Sequence, residues 1–295
     1  MLKNTLLLPL LFTLSAGIAH AEYTGTLKKI HDANRITVGY RESSVPFSYL
    51  DAHGKPTGYA FEICQAITNK VKTRLNLPNL KIKYQPISSA NRIALLQNGT
   101  IDIECGSTTN SKVRQKQAAF GISYVGVQVS AAVRKADNIK DLKDLHQKNI
   151  ALTSGTTSVA LVKNYEKTHG VKFRLLMTKD FAEAMNLVAN GRADAFVIDD
   201  VLLAGQIATL SNPQDFRILD MSLSKEPYGP MFRKDDPAFK KIVDETMMDL
   251  IQTGRLEKLY NKWFTQPIPP KNINLNFPMN KATRDLFLNP NSEGI

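Results

Sequence analysis

The chain has 295 residues, of which 43 % are hydrophobic, 22 % charged and 8 % aromatic. This ordinary composition excludes a disordered protein, a collagen and a small disulfide-rich scaffold, and the length suits two lobes of roughly 100–150 residues each. The formal net charge of +11 favours an anionic partner, but no long run of Lys or Arg indicates a nucleic-acid-binding tail. The two cysteines and five histidines lack zinc-ligand spacing, so we expect no metal and no other cofactor.

The first residues predict an exported protein. Lys3 precedes a charge-free, leucine-rich run from Thr5 to Ile18, and the small residues Ala19 and Ala21 close it. This is the pattern of a secretory signal peptide over residues 1–21, with cleavage after Ala21. The apolar run is shorter than the roughly 20 residues that a transmembrane helix needs, and no other stretch approaches that length.

Strands and helices alternate along the rest of the chain. Predicted strands cover residues 35–40, 101–105, 151–153 and 193–198. Predicted helices lie around the apolar positions 63, 67, 71 and 75 and over about 90–97, 158–170, 180–189, 236–253 and 256–264. Alternation of this kind predicts parallel sheets covered by helices. The Asn- and Pro-rich tail from Lys271 is expected to lie extended over a lobe.

A weak internal similarity favours two α/β lobes. Residues 96–102 and 188–194 both read as a helix end, Asn-Gly, a turn residue, an apolar residue and Asp before a strand. Ligands of open α/β sheets bind beyond the carboxyl ends of the strands. Two such sheets facing each other would therefore form a binding cleft between the lobes.

Two segments concentrate hydroxyl groups where the chain changes direction: residues 106–109 and 154–157. Short hydroxyls and backbone amides at a helix N-terminus favour an anion such as a carboxylate, although ordinary helix capping uses the same residues. The sequence contains no phosphate-binding GxxxxGK[ST] loop, and no GxSxG or SxxK motif for a nucleophilic serine.

Three arginines lie close to these hydroxyls in the sequence. Arg114 follows Thr109 by five residues, Arg92 stands one helical turn after Ser89, and Arg41 follows the first predicted strand. Taken alone, each is typical of a solvated surface arginine. The planar guanidinium suits carboxylates, however, so together with the hydroxyls the arginines favour an anion site.

Several segments resemble a known family: residues 39–48, 58–63, 91–100, 104–110, 114–120, 153–158 and 268–273. They resemble the family 3 extracellular solute-binding proteins, which are the periplasmic amino-acid-binding proteins of ABC importers, and within them the glutamate/aspartate-binding branch. One departure is Ala60, where the family usually has an acidic residue.

The resemblance implies an α/β, type II periplasmic-binding-protein fold of two lobes joined by two hinge strands. Lobe 1 would comprise residues 22–125 and 228–295, and lobe 2 residues 126–227, with hinge segments near 125–129 and 223–227. It also implies a monomer in the periplasm that closes on its ligand and docks on an inner-membrane ABC permease, with no nucleic-acid partner.

The resemblance further implies L-glutamate or L-aspartate as the ligand, and the preference between them stays open. Arg114, with Thr109 and Thr156, would hold the α-carboxylate, while Ser107 and Asp199 would hold the ammonium group. Arg41, Arg92 and Ser89 would face the acidic side chain. The full expected set is Arg41, Ser89, Arg92, Ser107, Thr109, Arg114, Thr153, Thr156 and Asp199. Phe181 stands in a stretch where close relatives often have a histidine, so the side-chain end of the site is expected to differ in detail.

Other classes of protein share this fold. A lytic transglycosylase needs an additional lysozyme-like domain, for which the length leaves no room. A cyclohexadienyl-dehydratase-like enzyme needs a catalytic carboxylate, and Asp199, the one carboxylate in the expected set, would be occupied by an ammonium group. We therefore expect a binding protein and no enzyme. A surface interaction protein or adhesin remains an alternative, which binding to intact cells would distinguish from amino-acid binding.

The two cysteines do not reveal their state from sequence. Cys64 follows Ile63 on an apolar helix face, and Cys105 ends a predicted strand. Export permits a disulfide bond, but a buried free cysteine is an equally ordinary small hydrophobe. The sequence does not show that the pair is close, and we expect two free thiols.

Overall fold

The computed structural model describes residues 23–295, so the predicted signal peptide lies outside the described residues. The helices are α1 Gly25–Ala33, α2 Tyr59–Arg74, α3 Arg92–Gln97, α4 Lys112–Gln115, α5 Ser158–His169, α6 Phe181–Ala189, α7 Asp200–Thr209, α8 Pro237–Gln252, α9 Arg255–Phe264 and α10 Lys281–Leu288. The strands are β1 Arg35–Tyr40, β2 Ser43–Ser44, β3 Ser48–Leu50, β4 Pro56–Thr57, β5 Lys81–Pro86, β6 Ile103–Glu104, β7 Ala118–Phe120, β8 Val125–Arg134, β9 Asn149–Thr153, β10 Arg174–Thr178, β11 Ala195–Asp199, β12 Phe216–Ile218, β13 Ser224–Tyr228 and β14 Met231–Arg233.

Two large sheets organise the described chain, and β2, β3 and β4 form a small third sheet. The first has the strand order β5-β1-β6-β14-β7, and the second has the order β10-β9-β11-β8-β12, with β13 also paired to β8. In the first sheet β1 is parallel to β5 and β6, whereas β14 is antiparallel to both of its neighbours. In the second sheet β9 is parallel to β10 and β11, whereas β8 is antiparallel to β11, β12 and β13. The expectation of parallel sheets is therefore correct only for part of each sheet.

The antiparallel strands arise where the chain changes sheet. It leaves the first sheet after β7, enters the second through β8, and returns through β13 to β14. β8 and β13 pair antiparallel, with Val125 opposite Tyr228 and Val129 opposite Ser224. Two paired strands thus form the connection between the sheets.

Local signals fix several helix ends. Asp180 caps α6 by accepting a hydrogen bond from the Glu183 amide at 2.9 Å, and Gly170 ends α5 in the left-handed conformation with φ of 66°. Left-handed backbone costs glycine little, which is why a helix stops there. At α8, Asp236 caps the helix and Pro237 occupies its first turn, as the sequence predicts.

The C-terminal tail differs from the prediction, because residues 281–288 form α10 rather than an extended chain. Asn280 begins this helix by accepting a hydrogen bond from the Thr283 amide at 2.8 Å. The helix packs on β8, where the Thr283 hydroxyl accepts from the Gly126 amide at 3.1 Å. A β-carbon at Gly126 would lie 2.8 Å from the Ala282 side chain, so this close approach requires glycine.

The expectation of two free thiols is wrong. Cys64 and Cys105 form a disulfide bond, with 5.6 Å between their α-carbons. Cys64 lies on α2, which packs on β1, and Cys105 directly follows β6, which is the neighbour of β1 in the sheet. This tertiary packing brings together two residues that are 41 positions apart.

Candidate functional site

The expected site residues gather at the carboxyl ends of parallel strands in both sheets. In the first sheet Arg41 follows β1, and the hydroxyl-rich residues 107–109 follow β6. In the second sheet Thr153 ends β9 and Asp199 ends β11. A pocket of ≈ 370 Å³ opens beside Arg41, and its lining includes Asn91 on one side and Lys179 on the other.

Arg41 is 2 % exposed, and its guanidinium contacts groups from both sheets. One nitrogen donates to the Ser107 hydroxyl at 3.4 Å, and the guanidinium carbon lies 4.9 Å from the centroid of the Phe181 ring. Burial and the nearby Arg92 cation lower the pKa of Arg41 to about 9. A buried cation whose pKa a second nearby cation lowers favours an anion beside it.

Arg92 begins α3 and is 1 % exposed. It donates to the Ser107 carbonyl at 3.2 Å and to the Thr108 hydroxyl at 2.5 Å. Its Nε atom and the buried Ser89 hydroxyl, one turn before it, have no hydrogen-bond partner among residues 23–295. Burial lowers the pKa of Arg92, and the negative charge of Glu104 opposes that shift.

Arg114 connects the two halves of the site. Its guanidinium donates to the Thr109 carbonyl at 2.9 Å and to the Gly155 carbonyl at 3.1 Å. Gly155 belongs to the loop before α5, and a β-carbon there would lie 2.5 Å from the Ser89 carbonyl oxygen. Burial and the Arg92 cation lower the pKa of Arg114 to about 10.

Two expected residues make their hydrogen bonds elsewhere. The Thr153 hydroxyl lies 3.1 Å from the Thr178 hydroxyl and 3.4 Å from the Asp180 carbonyl. The Thr156 hydroxyl donates to the Thr153 carbonyl at 2.7 Å. These contacts hold the loop after β9 to β10 and α6, so they position the loop that also carries Gly155.

Acidic groups also lie in the site, close enough to Arg114 for Glu226 and Asp199 to oppose the lowering of its pKa. Asp199 is 3 % exposed and its Oδ1 has no hydrogen-bond partner among the described residues, and the same is true of Glu226 Oε1. The Tyr228 hydroxyl lies near Asp199 and opposes the rise of its pKa. Burial and the nearby Glu226 carboxylate raise the pKa of Asp199 to about 8. Unpartnered buried oxygens are costly, so this cluster favours a hydrogen-bond donor or a cation.

Sequence reasoning missed two buried carboxylates. Glu104 accepts from the Thr108 hydroxyl at 2.7 Å, and Glu226 accepts from the Thr109 hydroxyl at 2.5 Å and the Thr157 hydroxyl at 3.0 Å. Glu104 begins one of the segments that carry the family resemblance, which was an available signal. Glu226 is the one acidic residue of β13, and no sequence pattern indicates that its side chain faces the site.

The arrangement is a set of buried charges that do not neutralise one another directly. Within residues 23–295, the guanidinium groups of Arg41, Arg92 and Arg114 make no ion pair. Buried charges without a counter-charge are strongly unfavourable, so the three arginines favour an anionic group such as a carboxylate. Asp199 and the polar groups around it favour a cationic group such as an ammonium.

Along the described chain, no helix combines the length and apolar character that a membrane crossing requires. Nor do residues 23–295 group three His, Cys, Asp or Glu side chains in a way that could hold a metal ion.

The two sheets, their two connecting strands and the buried polar site define a two-lobed solute-binding protein. Residues 36–266 match the bacterial extracellular solute-binding proteins, family 3, and the chain belongs to this family. The predicted family is therefore confirmed.

Two relatives match nearly the whole chain. The L-glutamate/L-aspartate-binding protein of Pseudomonas aeruginosa is 45 % identical over 278 residues, covering 94 % of this chain and 92 % of the relative. The glutamate/aspartate import solute-binding protein of Escherichia coli K12 is 44 % identical over 291 residues, covering 97 % of this chain and 96 % of the relative.

Solved structures share the fold. The cysteine-binding protein of Campylobacter jejuni superposes with a TM-score of 0.72 at 24 % identity, covering 89 % of this chain and 98 % of that one. An ancestral arginine-binding protein bound to glutamine gives a TM-score of 0.69 at 29 % identity, covering 78 % of this chain and 98 % of that one. The predicted type II fold is thus confirmed.

Proposed function

We propose that this chain binds L-glutamate, L-aspartate or both in the periplasm and delivers them to an ABC permease. The observation that carries the proposal is the group of three buried arginines that make no ion pair within residues 23–295, together with unpartnered acidic oxygens in the same site. An acidic amino acid has two carboxylates and one ammonium group, which complement these charges. The two relatives of 44–45 % identity are named as glutamate/aspartate-binding proteins.

Each part of the ligand has a set of candidate partners. Arg114 is our candidate for the α-carboxylate, and Asp199 with Ser107 for the ammonium group. Arg92 and Ser89 are candidates for the side-chain carboxylate because Arg92 Nε and the Ser89 hydroxyl are buried without partners in the described chain. Arg41 completes this end, and Glu104 neutralises part of the positive charge that Arg41 and Arg92 share.

Like its relatives, the chain is a binding protein and not an enzyme. The sequence predicts Asp199 as the one carboxylate of the site, but Glu104 and Glu226 are buried there as well. Both additional carboxylates accept hydrogen bonds from threonine hydroxyls through one oxygen, and the binding function of the relatives is what favours a binding protein over a dehydratase.

We further propose the cellular context and the moving parts. Cleavage after Ala21 would release the protein into the periplasm as a monomer. Residues 22–125 with 228–295 would form one lobe and residues 126–227 the other, closing about segments near 125–129 and 223–227. The closed form would dock on an inner-membrane permease.

A thermal-shift screen with the twenty amino acids tests the ligand class. Ligands that bind the folded state raise the melting temperature in proportion to the logarithm of their concentration over Kd. We expect glutamate or aspartate to give the largest shift. A larger shift with basic or apolar amino acids, and none with the acidic ones, would contradict the proposal.

A further inference from the structure

Glu226 occupies an unusual position on β13, the strand that returns from the second sheet to the first. It is 2 % exposed. One of its carboxylate oxygens accepts hydrogen bonds from two hydroxyl groups. Thr109 donates to it at 2.5 Å and Thr157 at 3.0 Å. Thr109 follows β6 of the first sheet, whereas Thr157 lies directly before α5, which packs on β9 of the second sheet.

We propose that Glu226 is a positioning residue that links closure of the cleft to ligand binding, by joining one hydroxyl from each side of the cleft. This proposal rests on the proposed binding of an amino acid between the two sheets. We call the contact of Glu226 with Thr109 and Thr157 the hinge latch.

The two arms of the hinge latch differ in mobility. The first arm is fixed to β13 by the backbone, because Thr109 forms a bridge with Tyr228 and the Asn110 amide donates to the Pro227 carbonyl at 2.8 Å. Thr157 has no such backbone link to β13 among the described contacts. Glu226 lies in the proposed hinge segment near 223–227, and the links of Thr109 and Asn110 hold this end of β13 to the first lobe. Opening of the cleft would therefore break the Thr157 arm and leave the Thr109 arm in place.

The latch also fixes the direction of the Thr109 hydroxyl. A hydroxyl has one proton, and Thr109 gives it to Glu226. Its oxygen then has only acceptor capacity towards the site. Thr109 therefore faces the ligand as an acceptor for the ammonium group, beside the unpartnered Asp199 Oδ1, and not as a donor to the α-carboxylate. This changes the role that the family resemblance implied for it.

The hydrogen bonds of the hinge latch should lengthen the lifetime of the complex between the protein and its ligand. Hydrogen bonds to an ionised group are about twice as strong as neutral ones. An interaction made only in the closed form slows ligand release and leaves encounter with the open form unchanged. Because the latch touches no part of the ligand side chain, it should affect glutamate and aspartate equally.

Stopped-flow binding rates test the hinge latch in the processed protein. Thr157→Val removes the mobile arm, and Glu226→Gln keeps the shape but removes the charge. Thr168→Val, at the exposed far end of the same helix, is the matched control. We expect Thr157→Val and Glu226→Gln each to raise the dissociation rate about tenfold, with association rates within twofold of wild type. The double variant should dissociate only slightly faster than Glu226→Gln alone, because the two changes remove one shared contact.

The outcomes separate the latch from the proposed function. If Thr157→Val leaves the dissociation rate of glutamate unchanged, or mainly changes association, the latch is wrong while glutamate binding stands. If the wild-type protein binds a different amino acid, the proposed ligand is wrong, and the same rates measured with that amino acid still decide the latch. A protein that binds no amino acid overturns both.

Discussion

Arg41 and Phe181 meet across the two sheets, with the guanidinium carbon 4.9 Å from the ring centroid. Arg41 follows β1 of the first sheet, whereas Phe181 begins α6 beside the second. Both side chains are buried, at 2 % and 1 % exposure. A cation over an aromatic face is attracted by the electron-rich ring. Phe181 therefore orients one of the arginines that we assign to the ligand side chain.

Replacing this ring should weaken glutamate binding. The desolvated contact is worth about 0.5–2 kcal/mol, so Phe181→Leu should raise the Kd for glutamate about 3- to 30-fold. Phe181→Tyr keeps an aromatic face and should stay within about threefold of wild type. Phe196→Leu is the control, because Phe196 lies in the same core, with 6.3 Å between the centroids of its ring and the Phe181 ring. Equal Kd values for Phe181→Leu and Phe196→Leu, measured by calorimetry, would show that the ring does not act through Arg41.

Arg114→Ala should nearly abolish the binding of any α-amino acid. Arg114 is held by the carbonyls of Thr109 and Gly155, and charge-assisted hydrogen bonds from it to a carboxylate contribute about 1.5–3 kcal/mol each. We expect at least a hundredfold increase in Kd, alike for glutamate and aspartate. Lys112→Ala, an exposed change in the same short helix, should bind normally. An Arg114→Ala protein within threefold of wild type would remove Arg114 from the α-carboxylate site.

Loss of the Cys64–Cys105 bond should lower stability. Closing a loop between residues 41 positions apart restricts the unfolded chain, which is worth about 2–4 kcal/mol. We expect the Cys64→Ala/Cys105→Ala variant to lose free energy of unfolding by about that amount in urea titrations. Unreduced wild-type protein should resist alkylation and have a mass two daltons below its dithiol form. Full alkylation without reductant would contradict the bond.

Asp199 makes stability depend on pH with a definite sign. Its pKa in the folded protein is raised to about 8 by burial first and by Glu226 next. An unfolded Asp has a pKa of about 3.9, so between about pH 4 and 8 the folded state holds the additional proton. The contribution of Asp199 to the free energy of unfolding therefore falls as pH rises through that window. Asp199→Asn should be more stable than wild type at pH 8, by more than about 1 kcal/mol. A less stable variant would contradict the raised pKa.

The same group links ligand binding to protons. An ammonium group favours the ionised carboxylate, so binding below pH 8 should release a proton from Asp199. The affinity for glutamate should rise between pH 6 and 8, by at most about tenfold per pH unit. Calorimetry in two buffers of different ionisation enthalpy measures the released proton directly. Affinity that stays constant or falls over this range, or proton uptake on binding, would contradict this role of Asp199.

The sequence predicts local features well because they depend on neighbouring residues. Gly170 ends α5, and Asp180 caps α6, at the expected positions. The strand predicted over residues 101–105 shortens to Ile103–Glu104, because sheet pairing and not local pattern sets strand length.

Long-range relationships were not available from sequence. The bond between Cys64 and Cys105 depends on how α2 packs against the first sheet. The position of Glu226 depends on the pairing of β13 with β8, which places a single acidic side chain between two distant threonines. The expected ligand contacts of Arg41, Arg92 and Arg114 remain predictions, although the structure buries all three without an ion pair in the described chain.

The central claim is that buried arginines select an acidic amino acid, and glutamine is the sharpest comparison because it has almost the shape of glutamate. Its amide would place N–H donors against arginines that can only donate, and would leave their charges uncompensated. Leaving a buried charge unpaired costs about 3–5 kcal/mol. Calorimetric titration of wild-type protein should therefore give a Kd for glutamine at least two orders of magnitude above that for glutamate. Comparable Kd values for the two would contradict the claim.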